Sequence, residues 1–129
     1  MIAIHKQLSV FLDNRPGVLA RTCQALAKEG INILALSISD TVDHAVVRLL
    51  VTDVPKAAAI LQRLHHTVHE KDVLLLEVPN VPGSLAGLAE KLAGAGINIE
   101  YAYCTSASQA VGNLVLRTND LEATIDALG

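Results

Sequence analysis

Asn14-Arg15-Pro16-Gly17-Val18-Leu19-Ala20 is followed by Gly30-Ile31-Asn32-Ile33, and the pattern returns as Asn80-Val81-Pro82-Gly83-Ser84-Leu85-Ala86 followed by Gly96-Ile97-Asn98-Ile99. The offset is 66 residues at every landmark. A constant displacement over so long a run marks a duplicated structural unit, so any site built by the motif exists twice. The expected units are 1–70 and 71–129.

Around the motif the hydrophobic period switches between two and 3.6. Lys6, Leu8, Val10 and Leu12 alternate with Gln7, Ser9 and Phe11, and Leu74, Leu76 and Val78 repeat the apolar set, which predicts a strand before each motif. Pro16-Gly17 then predicts a helix start with the proline in the first turn, where a missing N–H costs nothing. Leu19, Thr22/Cys23 and Leu26 form a helical stripe, as do Leu85, Leu88/Ala89 and Leu92. Gly30 and Gly96 stand where a left-handed helix cap favours glycine. Strands are predicted over 31–39 and 45–51, joined by a turn at Asp40-Thr41-Val42-Asp43, and over 97–105 and 113–117, joined by a loop at 106–112. Asp53 and Asn119 are expected N-caps of a second helix in each unit. That helix carries Ala57, Ile60, Leu61 and Leu64 in the first copy and Leu121, Ile125 and Leu128 in the second.

The order strand–helix–strand–strand–helix predicts an α+β fold of two ferredoxin-like βαββαβ units, each an antiparallel sheet with helices on one face. Residues 67–69 can supply the final strand of the first unit. The second lacks an obvious last strand, leaving an edge that is open, or filled by the N-terminus or by a second chain; an open edge favours an oligomer. Leu34, Leu36 and Ile38 opposite Ile31, Ile33 and Ala35 make both strand faces apolar, so the face away from the helices is expected to meet a partner.

Composition narrows the function. The 129 residues are 51% apolar, with one Phe, two Tyr and no Trp, so the cores are aliphatic. A net charge of −3 without a basic run excludes nucleic-acid binding. No stretch approaches the ~18 apolar residues of a membrane span, and the N-terminus lacks a signal-peptide core. A cytoplasmic protein is expected, with Cys23 and Cys104 as buried free thiols.

The run Asn-x-Pro-Gly-x-Leu-Ala, then an amphipathic helix, then Gly-Ile-Asn-Ile resembles the ACT domain, and two copies cover nearly the whole chain. The resemblance is to stand-alone tandem ACT proteins. It implies a non-catalytic regulatory module that binds an amino acid at ACT–ACT interfaces, and a homodimer. The residues suit that chemistry. The start of the first helix offers unpaired N–H groups and a positive dipole end to a carboxylate. Gly17 and Gly83 let a ligand approach the backbone. Asn14 and Asn80 both donate and accept, and so can serve either end of a zwitterion. Asn14 precedes a helix of ~13 residues and Asn32 follows it, about 20 Å away at 1.5 Å per residue. One small ligand therefore cannot touch both, and the expected pairs are Asn14 with Asn98 and Asn80 with Asn32, within one chain or between chains. The expected ligand residues are Asn14, Arg15, Pro16, Gly17, Val18, Leu19 and Asn32, with Asn80, Val81, Pro82, Gly83, Ser84, Leu85 and Asn98. Tyr101 and Tyr103, on one face of the strand after Asn98, are secondary candidates.

Some serine-binding relatives place a His two residues before the loop asparagine. Leu12 and Val78 stand there in this chain, so a small or apolar amino acid is expected. Arg15 against Val81 and Val18 against Ser84 mean that the two sites need not share a ligand. His65-His66-x-x-His69 would chelate a metal only on a continued helix, and Thr67-Val68 suits a strand instead, so neither metal nor cofactor is expected. No nucleophile, dinucleotide or phosphate-loop motif is present, which argues against an enzyme. The alternative function is a regulatory subunit that docks on a separate biosynthetic enzyme or transcription factor through its apolar sheet face.

Overall fold

The structure, a computed structural model, describes residues 2–40, 44–106 and 108–129. Thr41, Val42 and Asp43 of the expected turn and Ala107 of the expected loop lie outside the described residues. The elements run β1 (Ile2–Asp13), α1 (Val18–Lys28), β2 (Ile33–Asp40), β3 (His44–Val51), α2 (Val54–Arg63), β4 (Thr67–Pro79), α3 (Ser84–Gly94), β5 (Ile99–Ser106), β6 (Val111–Thr118) and α4 (Leu121–Leu128). Backbone contacts gather them into an N-terminal unit, Lys6–Lys71, and a C-terminal unit, residues 2–5 with Asp72–Gly129.

In the N-terminal unit the strand order is β2-β3-β1-β4, with β1/β3 and β2/β3 antiparallel. In the C-terminal unit it is β5-β6-β4-β1, with β4/β6 and β5/β6 antiparallel. Both are the expected ferredoxin-like plan. The edge left open in the sequence reading is filled by the N-terminus, because residues 2–5 belong with the C-terminal unit. Strand length makes this possible. β1 has 12 residues and β4 has 13, about twice an ordinary strand, so each serves both units in turn.

Alternation supplies each core. Leu8, Val10 and Leu12 of β1 and Val47, Leu49 and Val51 of β3 are buried with Leu26 of α1 and Ala57, Ile60 and Leu61 of α2. Leu74 and Leu76 of β4 and Leu114 and Leu116 of β6 are buried with Leu88 and Leu92 of α3, and Ile2 packs against them. Leu64 and Leu85, expected on the helical stripes, are exposed at helix ends.

Strict alternation fails in β2. Ile33 pairs with Val51, but Ala35 pairs with Leu50, so a bulge at Leu34 shifts the phase. Leu36 and Ile38 thus share the face of Leu49 and Val47 rather than standing opposite Ile33. They lie on the edge strand and remain 43% and 48% exposed, with Leu34 at 44%. β5 repeats the bulge at Glu100. Cys104, on that edge strand, is exposed rather than buried, whereas Cys23 is half-buried and burial pushes its thiol pKa up.

The caps explain the glycines. Gly30 (φ 72°) donates to Ala27 O at 3.0 Å while Ile31 donates to Leu26 O at 3.1 Å; Gly96 (φ 72°) and Ile97 do the same to Ala93 O and Leu92 O. These are Schellman caps, with Ile31 and Ile97 packed into the cores. Asp53 caps α2 by accepting from Lys56 N–H at 3.2 Å. The α4 cap is Asp120, not Asn119: it accepts from Ala123 N–H at 3.0 Å. The cause is one extra residue in the second hairpin. Asp40 pairs with Ala45, but Ser106 pairs with Gly112, so the repeat offset becomes 67 beyond the loop.

α2 also ends in a Schellman cap, but its left-handed residue is His65 (φ 65°), which donates to Gln62 O at 2.9 Å while His66 donates to Leu61 O at 3.1 Å. A side chain costs about 1 kcal/mol there relative to glycine. His65→Gly is expected to stabilise the chain by about that amount and raise Tm by about 4–8 °C, the scale for a 60–100-residue domain. A melting curve that is unchanged or lower would refute the strain.

Candidate functional site

Each repeated motif opens as a turn. Val18 N–H donates to Arg15 O at 3.4 Å, and Gly17 takes φ 88°, ψ −16°. Ser84 N–H donates to Val81 O at 3.3 Å, with Gly83 at φ 90°, ψ −11°. Proline followed by glycine near φ +80°, ψ 0° is a type II turn. The prolines therefore stand before the helices, not in their first turns as expected, and the glycines are the N-caps. Their carbonyls accept from Arg21 N–H (3.0 Å) and Gly87 N–H (2.9 Å). Neither helix has a side-chain cap, so the N–H groups of Leu19 and Ala20, and of Leu85 and Ala86, are left for another acceptor.

The loop asparagines are held by their amide nitrogens. Asn14 Nδ2 donates to Asp40 Oδ1 at 2.6 Å, and Asn80 Nδ2 to Gln109 O at 3.0 Å. Asn32 N–H donates to Thr52 Oγ1 and Asn98 N–H to Asn119 Oδ1, both at 3.0 Å. The side-chain amides of Asn32 and Asn98 are exposed and make no hydrogen bond among the described residues. Within each unit the two asparagines stand at opposite ends of an 11-residue helix. Tyr101 and Tyr103 are half-buried and pair with Arg117 and Val115, on one face as expected.

Each unit has a cavity beside its Pro-Gly turn. In the N-terminal unit it measures about 900 Å³ and takes in Arg15 and Val18 of the expected set. In the C-terminal unit it measures about 690 Å³ and takes in Gly83 and Ser84. The four asparagines and two tyrosines line neither. The larger cavity is also lined by Phe11, Arg21 and four histidines, His44, His65, His66 and His69, none of them expected as ligand residues. The histidine run was the available signal, but the turn after α2 and the strand β4 bring it to the motif, which spacing alone does not show. No three His, Cys, Asp or Glu side chains among the described residues are placed to hold a metal ion.

His66 is tied to α1. The Thr22 hydroxyl donates to Val18 O at 2.8 Å, which uses its one proton, so His66 Nε2 donates to Thr22 Oγ1 at 3.1 Å. Burial pushes the His66 pKa below its usual value; Asp13 opposes the shift and His65 adds to it. The unfolded chain therefore takes up the proton first as pH falls. The stability contributed by the neutral ring is complete above the ordinary histidine pKa, near 6.5, and is lost as pH falls through the depressed one. Urea titrations at pH 8 and 5.5 are expected to show a smaller acid loss in His66→Gln than in the parent. Equal losses would exclude this group as the source.

The sequence pattern that defines the ACT domain pair matches residues 2–128. No protein of curated function matches the chain. A solved structure from Bacteroides thetaiotaomicron is similar at 38% identity over 98% of this chain and 88% of that one, with a TM-score of 0.92. The regulatory subunit of aspartate kinase from Thermus thermophilus shares the fold at 19% identity over 99% and 95% of the two chains, TM-score 0.73. That from Thermus flavus does so at 18% identity over 98% and 94%, TM-score 0.67. No helix among the described residues is long and apolar enough to cross a membrane.

Proposed function

The chain belongs to the ACT domain pair family of non-catalytic regulatory modules, and from that premise we propose that it senses a free amino acid, as a cytoplasmic homodimer. One observation carries the reading. Both copies keep a type II Pro-Gly turn that leaves a helix start uncapped beside a cavity. The α-carboxylate is received by the free N–H groups after Gly17 or Gly83, where no Cβ intervenes. The loop asparagine, Asn14 or Asn80, offers its Oδ1 to the ammonium, since its Nδ2 is already engaged. Asn98 or Asn32 of a second copy, with an unengaged amide, completes the site. The C-terminal cavity is lined by Glu77 and Lys91 as well as by Leu76, Val78, Leu88 and Leu128, and that aliphatic share supports an amino acid with a small apolar side chain. The ligand acts by favouring one arrangement of the assembly, to the extent that it binds that arrangement more tightly.

A thermal-shift screen against the twenty amino acids tests the reading. A cognate ligand at ~100 times its Kd adds about 2.7 kcal/mol of stability. Asn14→Ala with Asn80→Ala is expected to weaken binding by about tenfold, the scale of one lost hydrogen bond to a charged group. Unchanged affinity would reject the asparagines as ligand residues. A flat screen would favour the second reading, a regulatory subunit that docks on a larger protein. Leu34, Leu36 and Ile38, exposed together along the edge strand β2, are the observation behind it.

A further inference from the structure

The two units share a fold and a motif, so the positions at which their cavities differ carry whatever is individual to each. At the repeat offset of 66, Arg15 answers to Val81, Arg21 to Gly87 and Thr22 to Leu88; His44, beyond the hairpin in β3, answers to Val111 at the offset of 67. Each of these four exchanges makes the N-terminal cavity polar or cationic where its counterpart is apolar or bare, while Phe11 against Glu77 and Val18 against Ser84 run the other way. His65, His66 and His69 add three imidazoles.

The charges there do not cancel. Arg15 reaches Asp13 at 3.5 Å, and Asp13 is the single acid in the lining. Arg21 makes no ion pair or side-chain hydrogen bond among the described residues. Its guanidinium is nevertheless folded over the Pro-Gly turn: a Cβ built on Gly17 would lie 3.1 Å from one of its terminal nitrogens. A guanidinium with no ion pair or hydrogen bond among the described residues thus lies beside the Pro-Gly turn where the first-turn N–H groups begin, and it presents a planar fork that matches a carboxylate.

We propose that the N-terminal cavity takes a dicarboxylic amino acid, aspartate or glutamate, with Arg21 binding the side-chain carboxylate while the helix start holds the α-carboxylate. This rests on the amino-acid-sensing reading and adds a ligand class for one of its two sites. The C-terminal cavity has Gly87 in place of Arg21, and its lining carries one lysine, Lys91, alongside one acid, Glu77, so no excess of cationic groups awaits a second carboxylate there. One chain then responds to an acidic and an apolar amino acid through separate cavities.

Isothermal titration of the full chain with L-aspartate and L-glutamate, each beside its amide L-asparagine or L-glutamine, tests the assignment. Inorganic phosphate serves as a generic anion. The expected result is one saturable acid site per chain, with the amide about tenfold weaker or worse, the scale of a lost charge-assisted bond. Arg21→Gln is expected to abolish the preference for acid over amide, and Arg21→Lys to retain part of it. Arg21 is exposed, so both variants fold, and an unchanged melting temperature checks this. Equal binding of acid and amide, phosphate as tight as aspartate, or an acid preference that survives Arg21→Gln would each overturn the proposal. Binding of an apolar amino acid without an acidic one overturns it and leaves the sensing reading in place. Failure of all twenty amino acids to bind removes both.

Discussion

A chain with residues 2–5 deleted is expected to lose about 3 kcal/mol or more, with the damage centred on the C-terminal unit. Those four residues belong to that unit, and β1 lies beside β4 in its sheet. Ile2 packs against the cluster of Leu74, Leu76, Leu114 and Leu116, and it lines the C-terminal cavity. Deleting an apolar side chain of that size from a core contact costs about 2–5 kcal/mol when buried, and Ile2 is only half-buried. The ladder supplies the rest, since β4 would become a bare edge next to the fully buried Val73 and Leu74. Ile4→Ser is the control: Ile4 is 57% exposed, and its loss is expected to stay within about 0.5 kcal/mol. Hydrogen exchange locates the effect, because amides of residues 72–77 should lose protection in the truncated chain while those of β3 keep theirs. A truncated chain that melts within about 2 °C of the parent would show that residues 2–5 contribute little to the fold.

That assignment marks the boundary of what the sequence discloses. Periodicity located the strands and helices, but it began β1 at Lys6 rather than Ile2 and read the continuous β4 as two strands; Gly30 and Gly96 gave the caps, because a left-handed residue at a helix end leaves few alternatives to glycine. His65 in the same conformation left no such trace. The bulges at Leu34 and Glu100 were invisible because a bulge inserts one residue without changing composition, and it inverts the facing of everything after it. The extra hairpin residue moved the α4 cap from Asn119 to Asp120 for a similar reason: two adjacent residues are both good caps, and only pairing decides between them. At the site, the Pro-Gly turn was legible in kind, but the helices begin two residues after the prolines rather than at them. The histidines were legible as a cluster, but not as neighbours of Arg15 and Arg21. Thr22 and His66 are 44 residues apart, and no local pattern links them.

Leu26→Ala is expected to cost about 3–5 kcal/mol, while Leu36→Ala stays within about 0.5 kcal/mol. In the sequence both are leucines in apolar runs flanking the same Gly-Ile-Asn. In the fold Leu26 is fully buried, and it holds the end of α1: its carbonyl accepts from Glu29 and Ile31 N–H, both at 3.1 Å, while Ile31 shares its core. A cavity there removes the contact that fixes the Schellman turn and so the position of Asn32, the next residue. Leu36 faces the same side of the sheet but lies on the edge strand, beyond the cover of the helices. For a unit of this size the first loss is a large share of a total that runs at ~0.05–0.15 kcal/mol per residue. Urea titration reads both, with an unchanged slope expected for Leu36→Ala. If Leu36→Ala cost as much as Leu26→Ala, the edge strand would be covered in solution, and the row Leu34, Leu36 and Ile38 would belong to an interface rather than to solvent.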